Sequence, residues 1–433
     1  MTVLEWSRLF CYARRRPTLS KRTQDAGFII NEMKSNWFPS QIRVWLGLLI
    51  DTLDFSIKIP EKRILKLFSK IQSLLMHKKS SARKVASVAG SVISHSIVMG
   101  NITALFTRNM FTFITNARGW DISLLTPNSV TDELKFWLAN TNHLNTRILG
   151  SSPGPPLQAV AIANSDASSV ASGAVVKIEG TSHTAHKNLS PEEIDRSSTW
   201  RELDAILFSV VSMSTILRNR MVVWATDNQA AVWIKEKGSK KPYLQEIAKE
   251  IYYACRRNQI DLHLVWVPRE FNEQADAISK DIDYDDWKTA GSFFEYFNRT
   301  WGPYDIDRFA NHKNHKTHRF NSRYWSPGCE AVDAFTQDWS GSENWLVPPI
   351  HLIPRTIRHA NRCKAKGTLI APLWKSAPFW PMLCYNGSDF YEFVQDVKIF
   401  PDARGLLEVG DFKKTLLGSA RFVSPLIAIK LAF

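Results

Sequence analysis

The sequence predicts a multi-domain α/β chain built around a central mixed sheet with helices on both faces. Three observations carry this. From Ala159 to Ser279, short β-prone runs alternate with stretches of helical period, the order that builds an α/β layer rather than a bundle or a sandwich. Hydrophobic residues make up 44% of the chain, aromatics 12% and charged residues 22%, the balance of a chain that folds. At 433 residues it exceeds what one core organises, so two to four domains of roughly 100–200 residues are expected.

Each element has a local reason. RVWLGLLIDTLDFSIKIP, from Arg43 to Pro60, is β-rich on either side of an Asp51-to-Asp54 turn and reads as a hairpin. Pro60 suits a first helical turn, and Ile64, Leu67, Phe68, Ile71, Leu74 and Leu75 follow at helical spacing with lysines on the other face. A second helix starts at Ser81, with Val85, Val88, Ala89, Val92 and Ile93 inward. The segment LGSSPGPPLQ, Leu149 to Gln158, is dense in glycine, proline and serine and marks a domain boundary. Beyond it the pattern predicts strands over Ala159–Asn164 and Ser172–Ile178, a helix from about Trp200 to Leu217 and a strand over Met221–Ala225. A helix from about Asn228, another ending near Asn258, a strand over Asp261–Val267 and a short helix from Asn272 to Ser279 complete that domain. After Trp287 the chain turns rich in tryptophan, proline and asparagine, with a helix near Ile353–Cys363 and a strand in KGTLIAPLW. The closing SARFVSPLIAIKLAF is short and apolar and has no assigned role.

The net charge of +14 is uneven: before Gly119, 19 Lys and Arg stand against 6 Asp and Glu. That first quarter is the part expected to meet phosphates. Cys11, Cys255, Cys329, Cys363 and Cys384 include no C-x-x-C pair, which argues against a disulfide framework and a cysteine zinc site and fits a reducing compartment. No apolar run is long enough for a signal peptide or a membrane span, so the expectation is cytoplasm or nucleus, not secreted, with no membrane partner. His312, His315 and His318 stand three apart among lysines and read as a solvated basic loop, since neither cysteine nor acid completes a zinc set nearby.

Four acids stand where the predicted order would bring them together. Asp166 follows the first strand of the central domain, Glu202 lies in its first long helix, Asp227 ends a strand and Asp276 lies in the last short helix. Strand ends are where open α/β sheets place ligands. Leu203, Ile206, Leu207, Val210 and Val211 form the buried stripe of the helix, with Glu202 at its edge one turn before Ile206. Asp204, about 200° round, faces elsewhere. Asn272 is a good cap for the helix carrying Asp276. Each acid also has a local alternative. Thr199-Trp-Arg-Glu202 forms a capping-box pattern, Asp227 could cap the helix after it, and Asp166 could be a turn residue. Together they have the chemistry of a two-metal phosphodiesterase: Mg2+ takes hard oxygen ligands, and two such ions roughly 3.5–4 Å apart hold a phosphodiester.

SDASSVASGAVV, TWRELDAI, WATDNQAAVWIK and VWVPREFNEQADAISKD resemble the four successive motifs of type I ribonuclease H as found in retroelement polymerases. The resemblance implies a ribonuclease H-like domain at 156–290 in which Asp166, Glu202, Asp227 and Asp276 are both catalytic and metal-binding. They would hold two Mg2+ ions, or Mn2+ in their place, and cut the RNA strand of an RNA–DNA hybrid. Many members carry a histidine in a loop shortly before the last aspartate, whereas here that stretch is Pro268-Arg-Glu-Phe-Asn-Glu-Gln-Ala275.

The flanks resemble other parts of DIRS-like retroelements, those that integrate with a tyrosine recombinase. AGFIINEMKSNWFPSQIRVWLGLLIDT and IPEKRILKLFSKIQSLL are similar to the end of a reverse transcriptase palm, its primer-gripping hairpin around Trp45-Leu46-Gly47 and the thumb, over 1–120, with a connection at 121–155. The candidate contacts to template–primer are Trp45, Gly47, Lys62, Arg63, Lys66, Lys70, Arg83 and Lys84, with Asn228 in the nuclease domain. Tyr284-Asp285-Asp286-Trp287 is the only string similar to the Tyr-x-Asp-Asp palm turn, with wrong spacing and no flanking strands. The catalytic palm would therefore lie before Met1, and no polymerase activity is expected of this chain alone.

WGPYDIDRFANHKNHKTHRFNSRYWSPGCEAVDAFTQDWSGSENWLVPPIHLI and GTLIAPLWKSAPFWPML resemble the Dam-type adenine methyltransferase domain that follows ribonuclease H in those elements, here 291–395, with 396–433 as a tail. In such enzymes an Asn/Asp-Pro-Pro-aromatic turn holds the target amine. Val347-Pro348-Pro349-Ile350 lacks both the polar acceptor and the ring, so no methyl transfer is expected, and Asp307 and Asp333 read as remnants of that fold. The chain is thus expected to be a two-metal nuclease within a larger Pol polyprotein. The competing expectation is a non-catalytic nucleic-acid-binding remnant.

Overall fold

The computed structural model describes residues 21–31, 33, 40–148, 158–281, 287–386, 389–410, 417–419 and 422–433. The string around Tyr284–Asp286 and most of the Leu149–Gln158 boundary lie outside these. The chain forms two compact units, Met1–Gly154 and Pro155–Phe433.

In the first unit, β1 (Ile42–Trp45), β2 (Leu48–Asp51), β3 (Ser56–Lys58), helix α1 (Glu61–Leu75), β4 (Lys79–Ser81) and α2 (Ala82–Ile93) lead through short helical turns to α3 (Arg108–Asn116). β5 (Ser123–Leu125), α4 (Asn128–Leu144) and β6 (Arg147–Ile148) complete it. The expected single hairpin is a sheet in the order β1-β2-β3-β6. A second reversal stands at Leu46-Gly47, with φ of 48° and 76°, the place of the hairpin that the resemblance implies; the run of β-prone residues alone gave no signal for it because a leucine occupies a left-handed position that turns normally give to Gly, Asn or Asp. α1 buries Ile64, Leu67, Ile71 and Leu74, and α2 buries Val85, Val88, Ala89 and Val92. Glu133 of α4 is fully buried and accepts from the Asn109 and Met110 amides at 3.0 and 3.1 Å. It thus satisfies two of the free amides at the amino end of α3.

The second unit begins with β7 (Gln158–Ala167), β8 (Ala171–Ile178) and β9 (Thr181–Asn188), then α5 (Ser198–Ser212), β10 (Arg220–Thr226), α6 (Gln229–Lys237), α7 (Pro242–Arg257), β11 (Asp261–Trp266) and α8 (Glu273–Ser279). The sheet order is β11-β10-β7-β8-β9. β7, β10 and β11 run parallel, whereas β8 and β9 are antiparallel hairpin arms. α5 and α8 both pack on β7 and β8, and α7 packs on α5, so the mixed sheet has helices on both faces. Two differences from expectation have clear causes. β9, TSHTAHKN, has almost no apolar residue and so no strand signal, yet the Glu179-Gly180 reversal, φ 50° and 82°, folds it onto β8 in the two-residue geometry that suits strand twist. The helix expected to run from about Trp200 to Leu217 ends at Ser212, with Met213 at φ −102°. Its burial extends beyond one stripe to include Asp204.

The rest of the unit contains β12 (Trp287–Thr289), α9 (Gly291–Thr300), β13 (Ile306–Asp307), β14 (Arg319–Ser322), β15 (Ala331–Val332), β16 (Glu343–Leu346), α10 (Ile353–Cys363), β17 (Lys366–Pro372), β18 (Val394–Phe400), β19 (Leu407–Val409) and β20 (Leu426–Ala432). A seven-stranded sheet runs β15-β14-β13-β16-β17-β20-β18. β20 is antiparallel to both its neighbours, while β13 to β17 are mutually parallel. The closing segment that had no assigned role is therefore an interior strand, and β18 and β20 extend this sheet into the stretch expected to be a tail. Leu426 to Ile429 and Leu431 are buried, the continuous apolar run of a strand covered on both faces. Among the described residues no helix is long and apolar enough to cross a membrane.

Candidate active site

Because β7 and β10 are parallel neighbours, their carboxyl ends open at the same edge, and Asp166 and Asp227 meet there. α5 packs across β7 and β8 and brings Glu202 into the same place. One carboxylate oxygen from each of Asp166, Glu202 and Asp227 lies within 4.8 Å of the others. The local alternatives for these acids are not the ones formed. Ser197 caps α5 by accepting from the Trp200 amide at 3.3 Å, and Asn228 caps α6 by accepting from Ala231 at 3.0 Å. Asp166 lies within β7 rather than in a turn. Asp204 points away from the cluster, as expected, and pairs with Lys187 at 2.6 Å.

Asp166 and Glu202 are buried and Asp227 is half-buried. Asp166 and Glu202 are 6% and 5% exposed. Glu202 Oε1 accepts from the Ala167 amide at 3.3 Å, while its Oε2 is buried with no hydrogen-bond partner. Burial, reinforced by the charges of Asp166 and Asp227, pushes the Glu202 carboxyl up to about 8. Burial also raises Asp166, opposed by a 2.6 Å hydrogen bond donated by Ser279 Oγ and aided by Asp227 and Asp276. An orphaned buried carboxylate oxygen among three converging acids is the donor set that a hard divalent cation completes, so these residues fit such an ion.

Asp276 stands apart from the triad's oxygens although its charge reaches Asp166. Its carboxylate takes hydrogen bonds from Lys280 and Arg269, which hold it below the usual range. Arg269 occupies the loop that lacks a histidine. Asn272 stands at the N-cap position of α8, but its side chain makes no capping bond: Nδ2 donates instead to the Ser165 carbonyl at 2.8 Å, fastening the helix to β7. Sequence reasoning missed Ser279, whose only signal is its place three residues after Asp276, one turn along the helix.

In the first unit, Trp45 is exposed beside the Leu46-Gly47 turn, and Lys62, Lys66 and Lys84 are exposed on α1 and α2. Other candidate cations have internal partners. Arg63 donates to the Gly47 carbonyl at 2.7 Å and to Ser94 Oγ at 2.9 Å, Lys70 donates to Ser91 Oγ at 2.9 Å, and Arg83 pairs with Asp121. Asn228 serves as the α6 cap described above.

In the second unit, the carboxyl ends of β13 to β16 face a cleft of about 650 Å³ whose lining includes Arg308, Tyr324, Asp333, Phe335, Val347 and Arg355. Asp307 is buried, which pushes it up to about 7, and it accepts from the Phe309 and Lys316 amides. Asp333 sits at φ 55° and accepts from Phe335. The three spaced histidines form no metal-binding group among the described residues: His312 contacts Ser326 Oγ and His315 stacks on Phe320 at 4.5 Å.

Residues 277–397 match the family model described as DNA N-6-adenine-methyltransferase (Dam). No curated protein sequence matches the chain. Among solved structures, the chain is similar to RNase H1 from the halophilic archaeon Halobacterium salinarum, at 16% identity and a TM-score of 0.24, over 28% of this chain and 94% of that one. It is also similar to LC11-RNase H1 in complex with RNA/DNA hybrid, at 18% identity and a TM-score of 0.24, over 28% of this chain and 91% of that one. The foamy viral protease-reverse transcriptase in complex with RNA/DNA hybrid aligns at 13% identity and a TM-score of 0.27, over 61% of this chain and 33% of that one.

Proposed function

We propose that this chain is a metal-dependent ribonuclease H-type endonuclease that cuts the RNA strand of RNA–DNA hybrids. The observation that carries the reading is the convergence of buried Asp166 and Glu202 with half-buried Asp227, Glu202 Oε2 being buried without a hydrogen-bond partner. These three would hold Mg2+, or Mn2+, and Asp276 would join them as the fourth carboxylate once released from Arg269 and Lys280. Bound divalent cations would supply the Lewis acidity that activates water and stabilises the leaving oxygen of a phosphodiester. The protein's own part is to fix the carboxylates: Ser279 orients Asp166, the Ala167 amide orients Glu202, and the parallel pairing of β7 with β10 sets Asp227 beside Asp166.

The same reading extends to the flanks as part of a DIRS-like Pol polyprotein. Residues 1–120 would be the palm end, primer-grip hairpin and thumb, with a connection at 121–155, the nuclease at 156–290 and a methyltransferase-like domain from 291. The Dam-family match over 277–397, downstream of the acidic triad, supports that order, and the exposed lysines of α1 supply a surface for a phosphate backbone.

A labelled RNA–DNA hybrid incubated with Mg2+ tests the nuclease reading. Cleavage of the RNA strand that disappears in Asp227→Asn is expected. Binding without cutting would favour the non-catalytic remnant, and cutting that survives Asp227→Asn would place the chemistry elsewhere.

A further inference from the structure

α8 spans only Glu273–Ser279, too short to hold itself in place by its own hydrogen bonds, yet it carries two groups directed at the acidic site. Ser279 is fully buried. Its Oγ donates to Asp166 Oδ2 at 2.6 Å, and its carbonyl accepts from Ser168 Oγ at 2.6 Å. Two residues further on, Asp281 is gripped twice. Its carbonyl lies 2.8 Å from His186 Nε2, and its carboxylate accepts from Tyr324 Oη at 2.7 Å, with Arg323 at 3.5 Å. His186 belongs to β9, whereas Tyr324 follows β14 in the C-terminal lobe. Tyr324 is delivered there because the C-terminal lobe adds to the edge of the nuclease sheet. Trp325 bridges in parallel to Ala185, its amide donates to the Thr184 carbonyl at 2.9 Å, and its indole reaches His183 at 3.3 Å.

We propose that the C-terminal lobe is a positional part of the nuclease centre: Tyr324, acting through Asp281, anchors the end of α8 and so holds Ser279 against Asp166. Tyr324 and Ser279 are positioning residues, because neither touches the reacting atoms. The fit of α8 on β8 leaves no slack elsewhere, since Ile278 Cγ2 lies 2.4 Å from where a Cβ on Gly173 would stand. The proposal rests on the nuclease reading for its activity readout and is independent of it for its metal-binding readout.

The test uses the full chain and four variants: Tyr324→Phe, which keeps the ring and removes the donor, Ser279→Ala, the double variant, and Asp281→Asn, which keeps an acceptor for Tyr324. Mn2+ affinity is read from the free-ion electron paramagnetic resonance signal, beside kcat and KM on a hybrid and a thermal melt of each protein. Ser279→Ala is expected to weaken Mn2+ binding by roughly tenfold, the lower end of what groups that orient ligands from behind contribute, and Tyr324→Phe by less, because it acts one step further from the ligand. The double variant should match Ser279→Ala alone, because the two act along one path. kcat should fall in parallel with KM unchanged, and Asp281→Asn should retain wild-type affinity. Wild-type Mn2+ affinity in Tyr324→Phe, or effects that multiply in the double variant, would overturn the proposal. A wild-type chain that binds Mn2+ and never cuts refutes the nuclease reading, leaving the affinities to judge the clamp.

Discussion

Replacing Glu202 by glutamine tests the electrostatics of the site without touching its shape. With its carboxyl pushed up to about 8 from an ordinary 4.5, the folded state binds this proton more tightly than the unfolded chain does. The sign follows. Below about pH 4.5 both states are protonated and nothing is lost, between 4.5 and 8 the folded state loses stability progressively, and above 8 the loss is constant. At pH 7 the folded carboxyl is mostly protonated, and taking up that proton on folding costs about 3 kcal/mol, 2.5 pH units at 1.36 kcal/mol each. Glutamine is neutral in both states, escapes that cost and keeps an oxygen for the Ala167 amide. In EDTA at pH 7, Glu202→Gln should therefore be more stable than wild type by about 2–3 kcal/mol, with the gain gone at pH 4. Saturating Mg2+ should stabilise the wild type and leave the variant nearly unchanged, since only the wild type gains a counter-ion for the unpaired oxygen. Urea melts at pH 4 and 7, with and without Mg2+, read all four states. A variant less stable than wild type in EDTA at pH 7 would refute the reasoning.

Other perturbations have definite expected outcomes. Gly173→Ala sets a methyl 2.4 Å from Ile278 Cγ2 and 3.1 Å from its carbonyl carbon, so it should displace α8, cost about 1–3 kcal/mol and weaken Mn2+ binding, measured by melts and titration. In the first unit, Lys62→Ala with Lys66→Ala should lower the slope of log affinity against log salt for a DNA duplex by about 0.9 for each phosphate no longer neutralised. Arg63→Ala should instead chiefly lower stability, because that guanidinium is engaged with Gly47 and Ser94. Incubation with radiolabelled S-adenosylmethionine and duplex DNA should leave the DNA unlabelled, because Val347-Pro348-Pro349-Ile350 offers neither a polar acceptor nor an aromatic ring to hold a target amine.

The sequence alone determined the elements whose chemistry is local. Apolar runs that end in Asp166 and Asp227, a helix period that set Glu202 apart from Asp204, and the Gly-Pro-Ser stretch near the unit boundary at Gly154 could each be read from neighbours within a few residues. The order of strands and helices then pointed to an α/β sheet. Tertiary structure alone decided which groups meet. β9 has no pattern of its own and exists because a left-handed reversal returns it to β8, and β20, read in isolation as a roleless tail, is an interior strand because β17 and β18 bury both its edges. The candidate cations of α1 and α2 looked equivalent in sequence, yet Arg63 and Lys70 donate to groups of the fold, Arg83 pairs with Asp121 at the surface, and Lys62, Lys66 and Lys84 stand exposed. Ser279, Tyr324 and the orphaned oxygen of Glu202 acquire meaning only from residues about 25 to more than 100 positions away. Period and propensity act over one or two turns of chain, whereas hydrogen bonds and charge act through space.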